Sequence, residues 1–105
     1  MIFGTLPGGA PVEIFELSSD RMTVRISNDG GRIISVVKDG MDMIEGPKSF
    51  EDMLKDTCYC GAICGRVANR IAKGRFSIDG DAHSVAVNNG PNHLHGGLQG
   101  FDSKI

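Results

Sequence analysis

The sequence predicts an all-β protein built as an antiparallel sheet or sandwich. Three observations predict it. Short runs of branched and aromatic residues recur, and across residues 22–27 apolar and polar residues alternate with the period of a half-buried strand. Asp-Gly pairs at 39–40 and 79–80 stand between such runs, where a tight hairpin needs residues that tolerate positive φ. The 15 glycines are spread along the chain, as many turns require.

Taken in order, Val12 to Leu17 is the first expected strand. Met22, Val24 and Ile26 then alternate with Thr23, Arg25 and Ser27, which gives a second strand with one face buried. Asn28-Asp29-Gly30-Gly31 breaks the run. Arg32 to Lys38 is again strand-like, and Asp39-Gly40 turns it back toward Met41, Met43 and Ile44. Residues 47–56 differ. Pro47 opens a turn, and Ser49 is placed to cap one or two helical turns through Leu54, with Asp52 as an imperfect capping-box partner. Phe50, Met53 and Leu54 are expected on one face of that helix. Arg75–Ile78 and His83–Val87 flank Asp79-Gly80-Asp81 as a hairpin. The stretch from Asn88 to Gly100 is rich in Gly, Asn and His, and no regular element fits it. It is expected to be a structured loop, where function often sits.

The 105 residues suffice for one small domain, with no linker, internal repeat or low-complexity tract. Eleven basic and 13 acidic residues leave a formal charge of -2 with no long run of either sign, so neither a nucleic-acid footprint nor a polybasic membrane patch is expected. No apolar stretch is long enough to span a bilayer. The first residues, Met1 to Pro7, lack a basic n-region and a long apolar h-region, so no signal peptide is expected. The three cysteines are then expected to be reduced thiols in a cytoplasmic setting.

Two chemical patterns are weak. Cys58, Cys60 and Cys64, with His83, His93 and His95 downstream, invite a zinc reading. Their spacing departs from the paired C-x2-4-C arrangement of tetrahedral sites, and small buried thiols are the simpler account. A metal is therefore not expected. The glycines around 61–65 and 74 match neither phosphate-binding fingerprint. A stronger constellation is Gly65-Arg66-Val67-Ala68-Asn69-Arg70-Ile71 followed by Asn92-His93-Leu94-His95-Gly96-Gly97. Arg70 offers a planar fork of donors beside the Asn69 amide, and an imidazole at His95 between small residues can approach a ligand closely. Sugar hydroxyls, each both donor and acceptor, need such groups. On the residues alone a structural reading stands level with this one, with Arg70 as a surface arginine and His95 bonded to backbone. His83 and His93 are expected to be structural.

At these residues the sequence resembles the aldose 1-epimerase (galactose mutarotase) family. Residues 61–71 resemble that family's Asn-Arg motif, Gly74 to Gly80 its next hairpin, and residues 88–97 with Gly100-Phe101-Asp102 its His-Gly-Gly segment. Residues 1–60 fit its variable N-terminal strands. The resemblance implies an antiparallel β-sandwich of the galactose mutarotase type, with residues 1–105 forming its N-terminal part. It implies interconversion of the α and β anomers of a free aldose such as glucose or galactose, without metal or organic cofactor. Asn69, Arg70 and His95 are then the sugar-binding residues. The family's acid His and base Glu lie well beyond the His-Gly-Gly segment, and no glutamate among Glu13, Glu16, Glu45 and Glu51 matches the base. The isolated chain is therefore expected to be weak or inactive as a catalyst, and exposed sheet edges are expected to make it self-associate. Two other readings are a non-catalytic carbohydrate-binding module and, less favoured, a small metal-binding module on the three cysteines.

Overall fold

The computed structural model describes residues 1–105. Its N-terminal part is a five-stranded antiparallel meander of β1 (Ile2–Thr5), β2 (Pro11–Ser18), β3 (Met22–Ser27), β4 (Ile33–Lys38) and β5 (Met41–Asp42), paired in chain order. The alternation read in the sequence sets the register. Phe15 lies opposite Ile26 and Leu17 opposite Val24. Val24 in turn lies opposite Val36. A bulge between β3 and β4 leaves Ile34 as the extra residue between partners Ser35 and Ile33, and its side chain is buried in the core. The turn into β5 has Asp39 at φ 48° and Gly40 at φ 82°, the paired positive values that the Asp-Gly signal predicts.

The core lies on one face of this sheet. Val12, Ile14 and Ile34 are buried against Met53 of helix α1 (Phe50–Lys55), with Phe3, Leu6 and Phe50 packed around them. Ser49 caps the helix as expected, its hydroxyl accepting from the Asp52 N–H at 3.1 Å. Phe50 and Met53, three residues apart, reach the sheet together, and the Phe50 ring meets Phe3 edge-on at 5.9 Å. Leu54 does not join them and is 47% exposed. It lies about 40° round the helix from Phe50 and about 100° from Met53, on the side of the stripe that the sheet does not reach.

The opposite face is apolar and open. Phe15 and Leu17 remain 52% and 61% exposed, and Met22 is 40% exposed where the alternation predicted a buried face. Alternation reports which face is apolar, not whether anything covers it. The shape agrees: the radius of gyration is 16.5 Å, against about 13 Å for a compact domain of this length.

The remainder forms two narrow ribbons. Strand β6 (Arg70–Ile71) pairs with β9 (His93–Leu94), and β7 (Arg75–Ile78) with β8 (Asp81–Ser84), all antiparallel. The second ribbon is the expected hairpin with shifted bounds. Its turn is the two residues Asp79-Gly80, so Asp81 already pairs with Ile78. The strand ends at Ser84 because the Val85 N–H turns to the Gly74 carbonyl at 2.8 Å. The stretch from Asn88 to Gly100 also holds more than an irregular loop. It contains β9 and a 3-10 turn at Gly97–Gln99. Strand β9 lacks a long ladder, and the Asn88 side chain substitutes for one. It accepts from the Leu94 N–H at 2.8 Å and donates to the Leu94 carbonyl at 3.0 Å.

Candidate functional site

The β6–β9 ribbon brings together the three residues singled out in the sequence. Arg70 lies opposite Leu94 and Ile71 opposite His93, so Asn69 and His95 meet at the end of the ladder. They share two hydrogen bonds. The His95 N–H donates to the Asn69 carbonyl at 3.1 Å. The Asn69 N–H donates to His95 Nδ1 at 2.9 Å. A backbone N–H has only a proton to give, so Nδ1 presents its lone pair. In the neutral imidazole the proton then sits on Nε2, which becomes a directed donor. Arg70 donates from Nε to Asn89 Oδ1 at 3.0 Å, and its Nη1 lies 3.5 Å from Asn69 Oδ1. Those contacts fix the guanidinium at its base and leave its outer donors exposed to solvent.

A second group backs this surface. Tyr59 packs edge-on against the His95 ring, with centroids 4.8 Å apart and planes at 66°. Its hydroxyl lies 3.4 Å from Asn88 Nδ2. Tyr59, Asn88 and Asn89 were not picked out from the sequence. Tyr59 is the only tyrosine, and it sits between Cys58 and Cys60. The other two histidines stand apart from this trio. His93 is buried and its Nδ1–H donates to the Ala86 carbonyl at 2.8 Å. His83 stacks on Phe76 at 5.2 Å.

Charge is concentrated beneath Tyr59. Arg32 and Asp56 form a buried pair at 2.7 Å, and Arg32 Nη1 also donates to the Cys60 carbonyl at 2.7 Å. Burial raises the Asp56 pKa, but hydrogen bonds from the Cys58 N–H, Arg32, and the Cys60 N–H and thiol outweigh it and hold the carboxyl below its ordinary value. The hydrogen bond to Asp56 and its negative charge push the Cys60 thiol up instead. That shift opposes the thiolate a metal would need. Cys58, Cys60 and Cys64 are unpaired thiols, and they are not the buried thiols the sequence suggested: Cys58 and Cys60 are exposed and Cys64 half-buried, because they lie in turns and irregular chain rather than in a core strand. No three His, Cys, Asp or Glu side chains are gathered at metal-binding spacing.

Fold and site together define the class: an antiparallel β protein that presents a guanidinium, an amide and an oriented imidazole on an open polar surface. A family model described as aldose 1-epimerase matches residues 13–104. Galactose mutarotases from Sus scrofa and Bos taurus are 48% and 49% identical over 110 residues, covering 99% of this chain and 32% of each of those proteins. Among solved structures, the galactose 1-epimerase from Lactobacillus acidophilus NCFM superposes with a TM-score of 0.85 at 30% identity, covering 97% of this chain and 30% of that one. The GalM/aldose epimerase homologue from C. elegans gives 0.77 at 29% identity, covering 87% and 30%. The chain belongs to the aldose 1-epimerase family. It spans about a third of the length of the relatives it matches. Its fold is the antiparallel one of the galactose epimerases, and no helix is long and apolar enough to cross a membrane.

Proposed function

We propose that this chain supplies the sugar-holding part of an aldose 1-epimerase acting on a free hexose such as galactose or glucose. The observation that carries the reading is the fixed trio of Asn69, Arg70 and His95. His95 Nε2–H and the outer Arg70 donors would each give a hydrogen bond to a sugar oxygen, and the Asn69 amide can both give and accept. In the reaction a base takes the proton of the anomeric hydroxyl while an acid protonates the ring oxygen. The bond from the anomeric carbon to the ring oxygen breaks and an aldehyde forms. Rotation about the neighbouring carbon–carbon bond presents its other face, and ring closure reverses the proton transfers. Arg70 and His95 hold the sugar and polarise its oxygens, which is positioning rather than proton transfer. The acid and base are not among the matched positions of residues 1–105, so catalysis by this chain alone is expected to be weak. We place the protein in the cytoplasm, in keeping with three unpaired thiols. No metal or organic cofactor enters the scheme, and residues 1–105 are read as the N-terminal part of one sandwich domain.

The test is a titration of the purified chain with galactose and glucose, followed by NMR, alongside polarimetry of anomer interconversion. Arg70→Ala is expected to weaken sugar binding about tenfold or more, the cost of a lost charge-assisted hydrogen bond. Unchanged binding in both Arg70→Ala and His95→Ala would sink the reading. Strong interconversion by the unaltered chain, abolished by Arg70→Ala, would overturn the expectation of weak catalysis. A carbohydrate-binding module without catalysis shares these contacts. It is favoured if sugar binds and the chain never turns it over, even when supplied with the remaining part of a relative.

The open apolar face carries a second expectation. With Phe15, Leu17 and Ile2 exposed and β1 and β5 at the sheet edges, the chain is expected to self-associate. Sedimentation should show a weight-average mass that rises with concentration. A single monomeric species across the range would refute it.

A further inference from the structure

Six non-glycine residues have positive φ: Asp39, Tyr59, Asn69, Lys73, Asp79 and His95. Asp39 and Asp79 lead Asp-Gly turns, and Lys73 lies in the 3-10 turn before β7. The other three come from separate parts of the chain and meet at one place. Asn69 donates its N–H to the His95 ring, and Tyr59 packs against that ring. Strained backbone concentrated at one surface cluster is a mark of function when surrounding contacts enforce it.

The contacts around Tyr59 do enforce it. Asp56 Oδ1 accepts from the Cys58 N–H at 3.1 Å, and Oδ2 accepts from the Cys60 N–H at 3.0 Å. Arg32 holds both Asp56 and the Cys60 carbonyl, each at 2.7 Å. The Ala62 N–H then donates to the Tyr59 carbonyl at 3.1 Å. The peptide that follows Tyr59 is therefore held at both its carbonyl and its N–H, the flanking Cys58 N–H and Cys60 carbonyl are held as well, and the side chain is left to face His95. Four hydrogen bonds thus converge on the backbone that carries one half-buried tyrosine.

We propose that Tyr59 is a positioning residue of the site, setting the rotation of the His95 imidazole and hence the direction of its Nε2–H. One hydrogen bond to Nδ1 leaves the ring free to swing about that contact. An aromatic edge against the ring face removes the swing, and the hydroxyl end abuts Asn88, which itself holds the neighbouring Leu94. The clamp thus links the β3–β4 turn, through Arg32 and Asp56, to the sugar-facing nitrogen. The functional meaning rests on the reading of His95 as a sugar ligand, and the experiment separates the two.

Tyr59→Gly removes the ring and also suits the positive φ, so the backbone is relieved rather than broken. Tyr59→Phe keeps the ring. Imidazole nitrogen NMR, with the His95 signals assigned through His95→Gln, reads the tautomer without any sugar. In the unaltered chain and in Tyr59→Phe a fixed Nε2–H form is expected, with galactose affinity within about twofold. In Tyr59→Gly the expected result is a mixture of tautomers and an affinity about tenfold weaker or more, in a chain that still unfolds cooperatively in urea. An unchanged His95 signature and affinity in folded Tyr59→Gly would overturn the proposal. If the unaltered chain binds neither galactose nor glucose but Tyr59→Gly still frees the His95 tautomer, the positioning stands and the sugar reading falls.

Discussion

Arg32→Ala is expected to destabilise the chain by about 3 kcal/mol, at the lower end of what breaking a buried ion pair costs. The side chains of Arg32 and Asp56 are 7% and 15% exposed, so solvent replaces the lost partner only in part. Two facts keep the cost from the upper end. Asp56 retains the N–H donors of Cys58 and Cys60. Arg32 Nε, moreover, is buried without a partner, an unfavourable group that the substitution removes. Urea unfolding of the two chains measures the difference, and a loss below about 1 kcal/mol would show a pair no stronger than an exposed one. The same junction sets a pH dependence. Asp56 has its folded pKa depressed below the ordinary 3.8, so its stabilisation is complete above that value and is lost as pH falls through the folded pKa. Asp29 works in the opposite sense. Burial first, and the charge of Asp102 with it, raise its pKa against the pull of Arg32. Its favourable contribution is present below 3.8 and is lost as pH rises through the raised pKa. On acidification stability should therefore gain slightly just above 3.8 and fall below it, and Asp56→Asn should remove the fall.

What was legible in the sequence was local chemistry. The Asp-Gly turns at 39–40 and 79–80 were readable because two adjacent residues carry the whole signal, and Ser49 was readable as a cap because its partner is three residues away. The β3 alternation named an apolar face correctly. Its cover is not readable in an alternation, which places Val24 and Ile26 beside cross-strand neighbours of the same sheet and says nothing of a second layer. Strands β1, β6 and β9 were missed for a related reason. Two to four residues hold too little pattern, and β9 depends on a side chain, Asn88, acting in place of a strand. For the site, residue types alone left Asn69, Arg70 and His95 undecided, and family resemblance singled them out. Folding adds what neither could show: the hydrogen bond that orients His95, and the tyrosine behind it. Tyr59 carries no local signal, because its contact is with His95, a residue distant in the chain.

Gly96→Ala is expected to cost roughly 3–5 kcal/mol, combining backbone strain with overpacking, and to abolish detectable sugar binding in whatever fraction stays folded. Gly96 has φ 92° and ψ 0° and leads the 3-10 turn at Gly97–Gln99. An added Cβ would collide with the Gly65 carbonyl and lie 3.0 Å from Gly100 Cα. That carbonyl has little freedom to retreat, because it accepts the Phe101 N–H at 3.1 Å. The collision is therefore relieved by moving residue 96 itself, which carries the adjoining His95 off the Asn69 N–H. Gly9→Ala provides the comparison. Its φ is 89°, nearly the same, but nothing lies within 4 Å of the added Cβ. It should cost only the conformational strain, about 1–2 kcal/mol, and leave sugar binding unchanged. If the two variants lose equal stability in urea, the close approach at Gly65 is not a constraint on the site. If Gly96→Ala alone loses both stability and the His95 Nε2–H signature, the packing of the His-Gly-Gly segment against Gly65 is what holds the imidazole in place.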